Sequence, residues 1–244
     1  MDKQKYGKYP HYFPMGDQAI VAQFEKIISI EVSRKIQSFS EVIKREEIEG
    51  ITDLLLAYNN LTVCYNPMVI NYSELLNILI KLAENITEES IVENKTIHIP
   101  VSFSEKHGKD LSKISEVSGL TIDETINTLH KKEYFVYMIG FIAGYPYCGN
   151  IDEKLRLNRR ANPRQNVKKG TIQIADKQIG IMTMDAPSGW HHVGWTPMEI
   201  FNPYLVPPGL LSPGNRVKFI PVDENETEKW CSERQKEWDM EWNL

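Results

Sequence analysis

Hydrophobic positions in the first ninety residues follow two periods. Gln18-Ala-Ile-Val-Ala-Gln-Phe24 comes straight after Gly16-Asp17 and predicts a strand entered from a turn. Val32, Ile36, Phe39 and Ile43 then recur at three- and four-residue spacing, which predicts an amphipathic helix over Ile30 to Arg45. Ile51 to Tyr65 is rich in β-forming residues and is broken by Asn59-Asn60, the mark of two strands joined by a short turn. Leu75, Leu76, Leu79, Ile80 and Leu82 define a second helix, with Ser73 as its expected N-cap.

The order β-α-β-β-α is most of a ferredoxin-like split βαβ layout. The polar stretch Glu84 to Lys95 is the expected boundary, giving an α+β domain over 1–92, a mostly-β domain over 93–224 and an acidic tail over 225–244. Beyond it, Thr96-Ile-His-Ile-Pro-Val-Ser-Phe103 alternates like a strand, with His98 expected to be exposed opposite the isoleucine face. Two short helices follow. Leu111, Ile114 and Val117 mark the first, over Asp110 to Ser118, and the capping-box pattern Thr121-Ile-Asp-Glu124 opens the second, running to Leu129-His130. Short alternating runs at Tyr134–Ile139, Thr171–Ala175, Ile179–Thr183, His192–Trp195 and Val217–Val222 predict the strands of a barrel or sandwich. In the tail, Trp230, Trp238 and Trp242 fall near one helical face. Docking on its own domain is the preferred reading of that face, ahead of contact with a partner protein.

A chain of 244 residues suffices for one large domain or two modest ones. No apolar run approaches the ~18 residues that span a bilayer, and Met1 to Pro10 lacks the apolar stretch of a signal peptide. A cytoplasmic location is therefore expected. Cys64, Cys148 and Cys231 lie far apart, so free thiols are expected rather than a disulfide framework. No cysteine has a partner at ligand spacing, and His191 and His192 would point to opposite faces of a strand, so no metal site is expected. A net charge of −5 excludes the electrostatic footprint of a nucleic-acid binder. Against that background, Lys154, Arg156, Arg159, Arg160, Arg164, Lys168 and Lys169 form a basic island, either a solvated loop face or a site for phosphate or carboxylate.

The stretch Ile139-Gly-Phe-Ile-Ala-Gly-Tyr-Pro-Tyr-Cys-Gly149 combines glycines, which permit close backbone approach to a ligand, with aromatics that supply flat apolar walls. It lacks the Gly-Lys-Ser/Thr ending of a phosphate-binding P-loop. Taken together, Glu133-Tyr-Phe-Val-Tyr-Met-Ile-Gly-Phe-Ile-Ala-Gly-Tyr-Pro-Tyr147, Arg159-Arg160-Ala-Asn-Pro-Arg164, Gly170-Thr-Ile-Gln-Ile-Ala175, Gln178-Ile-Gly-Ile181 and Pro187-Ser-Gly-Trp190 resemble the KipI/PxpB family, also labelled allophanate hydrolase subunit 1. Gly16-Asp17, Ile99-Pro-Val101, Gly108-Lys-Asp-Leu111, His130 and Leu211-Ser-Pro-Gly214 fall in the family's order as well. Departures from its pattern include Ala143, Tyr145, Asn158, Lys168, Asp176, Ile179, Ser188 and Trp195.

The resemblance implies a ferredoxin-like N-terminal domain followed by a cyclophilin-like β-barrel. It also implies the role of the PxpB-type subunit in an ATP-dependent 5-oxoprolinase, working with PxpC-like and PxpA-like subunits. The alternatives it carries are half of a biotin-dependent carboxyltransferase of urea carboxylase type and a KipI-like inhibitor of a sensor histidine kinase. Activating an amide with ATP creates anionic oxygens that need fixed donors, a role expected of Arg159, Arg160 and Arg164. His130, at a predicted helix end, is the expected proton-transfer residue, with a structural cap as the competing role. Gln178 is expected to orient a substrate amide, while Phe141, Gly144, Tyr145 and Trp190 line the pocket.

Overall fold

In the computed structural model the described residues are 10–84, 86 and 95–243. Most of the expected boundary segment lies outside them. Contacts group the chain into two compact units, Met1–Glu93 and Asn94–Leu244.

The first unit is a four-stranded antiparallel sheet with two helices. Its elements are β1 (His11–Pro14), β2 (Ala19–Gln23), α1 (Ile30–Arg45), β3 (Ile51–Leu56), β4 (Asn60–Tyr65) and α2 (Tyr72–Ala83). The sheet order is β1-β2-β4-β3, so β4 lies between the two strands that α1 connects. The edge place beside β2 is filled by β1, a short strand the periodicity did not mark. Val32, Ile36, Phe39 and Ile43 are all buried, as the helical spacing of α1 requires. Ser29 caps that helix by accepting the Val32 N–H at 3.2 Å. The cap of α2 is Asn71 rather than Ser73. Its Oδ1 accepts the Glu74 N–H at 3.0 Å, which starts the helix two residues earlier than expected.

The second unit is built on a seven-stranded sheet in the order β12-β9-β10-β7-β6-β13-β5. These strands are β5 (Thr96–Val101), β6 (Glu133–Ile139), β7 (Pro146–Gly149), β9 (Thr171–Ala175), β10 (Gln178–Ile181), β12 (His191–Trp195) and β13 (Arg216–Pro221). Every pairing is antiparallel except β13 with β5. The two edges meet where Ser102 and Trp195 exchange backbone hydrogen bonds of 2.9 and 3.0 Å, which nearly closes the sheet into a barrel. Ile97, Ile99, Ile172, Ile174, Ile179, Ile181 and Val193 fill the interior. A separate ribbon pairs β8 (Arg164–Val167) with β11 (Ala186–Ser188).

Helices α3 (Leu111–Ser118) and α4 (Ile122–Lys131) pack together, and α4 rests on β13. The capping box at α4 is complete. Glu124 N–H donates to Thr121 Oγ1 at 3.2 Å, and Thr121 N–H donates to Glu124 Oε2 at 2.8 Å. Thr121→Ala is expected to cost about 1 kcal/mol, measured as a lower melting temperature for the second unit, with Thr121→Ser close to wild type.

Residues 225–244 supply most of α5 (Glu224–Glu228) and α6 (Ser232–Trp242), which belong to the second unit. Trp238 is buried and donates its indole N–H to the His98 carbonyl at 2.9 Å. Trp242 stacks on Trp238, with ring centroids 5.5 Å apart, and packs against the His98 ring at 5.3 Å. His98 does lie on the face of β5 opposite the buried isoleucines, but α6 leaves it half-buried rather than exposed.

Candidate functional site

The loop between β6 and β7 and the turn after β11 converge on one cavity of about 330 Å³. Phe141, Tyr145, Tyr147 and Trp190 form its aromatic walls, with Pro163, Pro187, Gln173 and Ser188 between them and Arg159 and Arg160 also in the lining. The aromatic rings meet edge to face. Tyr145 lies 5.6 Å from Phe141, 5.0 Å from Tyr147 and 6.2 Å from Trp190 by ring centroid. Such contacts fix the walls: Tyr145 and Trp190 are buried, Tyr147 is half-buried and Phe141 is exposed.

Local backbone explains how those rings are placed. Phe141 adopts a left-handed conformation with φ 68°, which leaves its ring 60% exposed beside Tyr145. Gly144 has φ 73°, and a Cβ there would come within 2.5 Å of the Phe201 ring. Gly144 is thus needed for the turn and does not line the cavity. Gly180 plays the matching part beneath Tyr145, since a Cβ on it would sit 2.2 Å from the phenol oxygen.

Gln173 holds the cavity together, although the sequence pattern pointed to Gln178. The Gln173 side chain is buried on β9, and its amide N–H groups donate to the Tyr145 hydroxyl and to Met182 Sδ, both at 3.1 Å. Its Oε1 accepts from Ser188 Oγ at 2.8 Å, and Ser188 Oγ accepts the Trp190 N–H at 3.3 Å. Gln178 is half-buried on the neighbouring β10 and is not part of the cavity wall.

The three arginines do not act as one cluster. Arg159 is largely exposed, with its guanidinium 5.9 Å from the Trp190 ring centroid and 4.0 Å from Asp176. Arg160 and Arg164 are instead bound to Asp110. Arg164 grips that carboxylate with both terminal nitrogens, at 2.7 and 3.0 Å, and Arg160 Nη1 donates to it at 3.1 Å. The His192 N–H adds a fourth bond at 2.7 Å. Burial alone would raise the Asp110 pKa. The Arg164 hydrogen bonds, the His192 N–H and the two guanidinium charges outweigh it and hold the group at about 2. Asp110 stands at the N-cap position of α3 yet makes no side-chain cap bond, because its oxygens are committed to the arginines. The expectation that Arg160 and Arg164 are both open to a substrate is therefore narrowed: Arg164 commits both terminal nitrogens to Asp110, while Arg160 commits Nη1 and still lines the aromatic cavity.

Arg164 faces a different cavity of the second unit, and His130 lines neither one. His130 occupies the last turn of α4, where its Nδ1 is buried with no hydrogen-bond partner among the described residues. Among the described residues no group of three or more His, Cys, Asp or Glu side chains is placed to hold a metal ion. No helix among them is long and apolar enough to cross a membrane.

Residues 10–211 match the carboxyltransferase domain, subdomains C and D. The chain belongs to that family. Within it, the B-type subunit of 5-oxoprolinase from Haemophilus influenzae is 33% identical over 207 residues, covering 85% of this chain and 95% of the relative. Its counterpart from Bacillus subtilis, again a B-type subunit of 5-oxoprolinase, is 29% identical over 224 residues, covering 87% and 92%. These relatives support the KipI/PxpB resemblance carried by the motifs. The crystal structure of TTHA0988 superposes with a TM-score of 0.75 at 27% identity, covering 84% of this chain. The chain spans only 40% of that solved protein. The carboxyltransferase-type fold thus extends across both units described above.

Proposed function

We propose that this protein is the PxpB-type subunit of an ATP-dependent 5-oxoprolinase, which opens 5-oxo-L-proline to L-glutamate together with PxpA-like and PxpC-like partners. The observation that carries this reading is the aromatic cavity with its buried amide, in a chain 33% identical to a 5-oxoprolinase subunit over nearly the whole of that relative. The ligand is a flat five-membered lactam bearing a carboxylate. A cavity of about 330 Å³ accommodates it, with the ring against Tyr147 and Trp190. Arg159 is the guanidinium free enough to meet the carboxylate, since its one acidic partner among the described residues is an exposed group 4.0 Å away. One lone pair of Gln173 Oε1 remains for the lactam N–H once Ser188 is satisfied.

ATP supplies the driving force by activating the lactam carbonyl. In this reading the present chain binds and orients the lactam and keeps bulk water off it, and the nucleotide belongs to the assembled complex. The proton-transfer role expected of His130 is not carried forward, because that residue lines neither cavity. The reading further takes the first unit as ferredoxin-like, the second as cyclophilin-like, and the assembly as a cytoplasmic hetero-oligomer.

The test is to purify the chain with its partner subunits and measure ATP hydrolysis and glutamate formation dependent on 5-oxoproline. Absence of turnover with every partner present would overturn the proposal. Within the active assembly, Arg159→Ala is expected to raise KM for 5-oxoproline about tenfold with little change in kcat. Arg159→Lys should recover only part of that loss, because an ammonium cannot bind carboxylate with two parallel bonds.

A further inference from the structure

A second cavity, of about 460 Å³, opens on the Arg164 side of the Asp110 cluster. Its wall brings together Lys109, Arg164, Lys168, Lys169, His192 and Trp195, and among the described residues the one carboxylate in the lining is Asp185. Lys168 pairs with Asp185 at 2.6 Å and Lys169 with Glu199 at 3.3 Å, both as exposed ion pairs. Such pairs contribute little net stability in water, so an anion with more charge can displace them. Lys109 makes no ion pair among the described residues.

The second observation is independent of charge. His192 lines this cavity and is only 5% exposed, and its Nε2 is buried with no hydrogen-bond partner among the described residues. A buried polar nitrogen left unpaired is costly, which marks the position as one that a ligand atom would satisfy. Burial first, and the Arg164 charge second, hold the imidazole pKa down to about 4, so the ring is neutral at physiological pH. Its Nε2 is then a donor or an acceptor according to tautomer. A carboxylate can only accept. A phosphate group near neutral pH carries both ionised oxygens and P–OH, and so can meet Nε2 in either tautomer while its charge meets the ammonium groups.

We propose that this cavity is a binding site for a phosphate group, separate from the aromatic cavity and held by Lys109, Lys168, Lys169 and Nε2 of His192. Trp195 closes one side: its indole N–H donates to the Lys169 carbonyl at 2.8 Å, and its ring lies 5.1 Å from that of His107. The volume exceeds that of a lone phosphate, so the group arrives either as the free ion or attached to a larger molecule such as a nucleotide. The site stands whether or not the aromatic cavity takes 5-oxoproline.

Calorimetric titration of the full chain at neutral pH and low salt, with inorganic phosphate, pyrophosphate, ATP and acetate in turn, tests it. Saturable binding of at least one phosphate probe, one per chain, is expected at millimolar concentration or below, with none for acetate. Tighter binding of ATP than of pyrophosphate would identify a nucleotide as the source, and equal binding would identify the phosphate group alone. The double variant Lys109→Glu, Lys168→Glu changes only exposed positions. It should weaken binding by about tenfold or more at an unchanged melting temperature. In nitrogen-15 spectra the wild-type protein should show a phosphate-induced shift of one imidazole signal, assigned to His192 by its absence from His192→Asn. No saturable binding of any phosphate probe, equal binding of acetate, or full affinity in the double lysine variant would each overturn the proposal.

Discussion

Replacing Asp110 with alanine is expected to cost about 3–5 kcal/mol of folding stability and to disturb both cavities at once. The side chain is only 6% exposed and accepts from Arg160, Arg164 and the His192 N–H. Removing the carboxylate leaves two partly buried guanidinium groups without their counter-ion and a buried main-chain N–H without an acceptor. At this size each kcal/mol lowers the melting temperature by about 2–4 °C, so a fall of roughly 10 °C is expected for the second unit. Asp110→Asn keeps the shape and an acceptor but not the charge, and should fall between the two. A variant Asp110→Ala that melts with the wild type would show that the cluster is not a structural hinge of the site.

The same residue sets an acid limit. Its folded-state pKa is lowered from 3.8 to about 2, so the stabilisation is fully present above pH 4 and is lost as pH falls through 2. That window is worth about 2 kcal/mol, and its disappearance in Asp110→Asn, followed by acid titration of stability, checks the assignment.

Asp110 also shows where sequence reading stops. The helical periods of α1 and α4 were legible because Val32, Ile36, Phe39 and Ile43, and the pair Thr121 and Glu124, act through neighbours close in the chain. The Asp110 partners are 50, 54 and 82 residues away, so its neighbourhood in sequence suggests nothing more than a helix start. The same limit explains the exchange of Gln178 for Gln173. Every residue of β9 is buried, so alternation does not distinguish a polar residue facing a cavity from one packed in the core. A glutamine inside an otherwise apolar stretch of strand was nonetheless a usable signal, since a buried amide must find partners. The hydrophobic pattern does not mark β7, because its four residues include Pro146 and Gly149 and only pairing with β6 and β10 makes it a strand. The strand β1 escapes the pattern for a similar reason: it is four residues long, ends in proline and depends on β2 for its pairing.

Gln173→Leu is expected to lower kcat/KM of the assembled complex for 5-oxoproline by about 100-fold, or roughly 2.7 kcal/mol of transition-state stabilisation. Leucine matches the volume approximately but supplies none of the bonds that tie Tyr145, Met182 and Ser188 to one point. Ser188 would lose the acceptor for its hydroxyl proton, and with it the anchor that positions the Trp190 N–H. The stability cost of about 1–3 kcal/mol is smaller than the whole fold can lose, so the variant should still fold and assemble. Gln173→Glu separates the two ends of the amide. It keeps an acceptor for Ser188 and loses donation to Tyr145, so a smaller loss than in Gln173→Leu would place the critical contact on the Ser188–Trp190 side. If Gln173→Leu assembles and turns over 5-oxoproline at the wild-type rate, the aromatic cavity is not where the lactam binds. That result would leave the phosphate proposal to its own test, because Gln173 lines the aromatic cavity and His192 the second one.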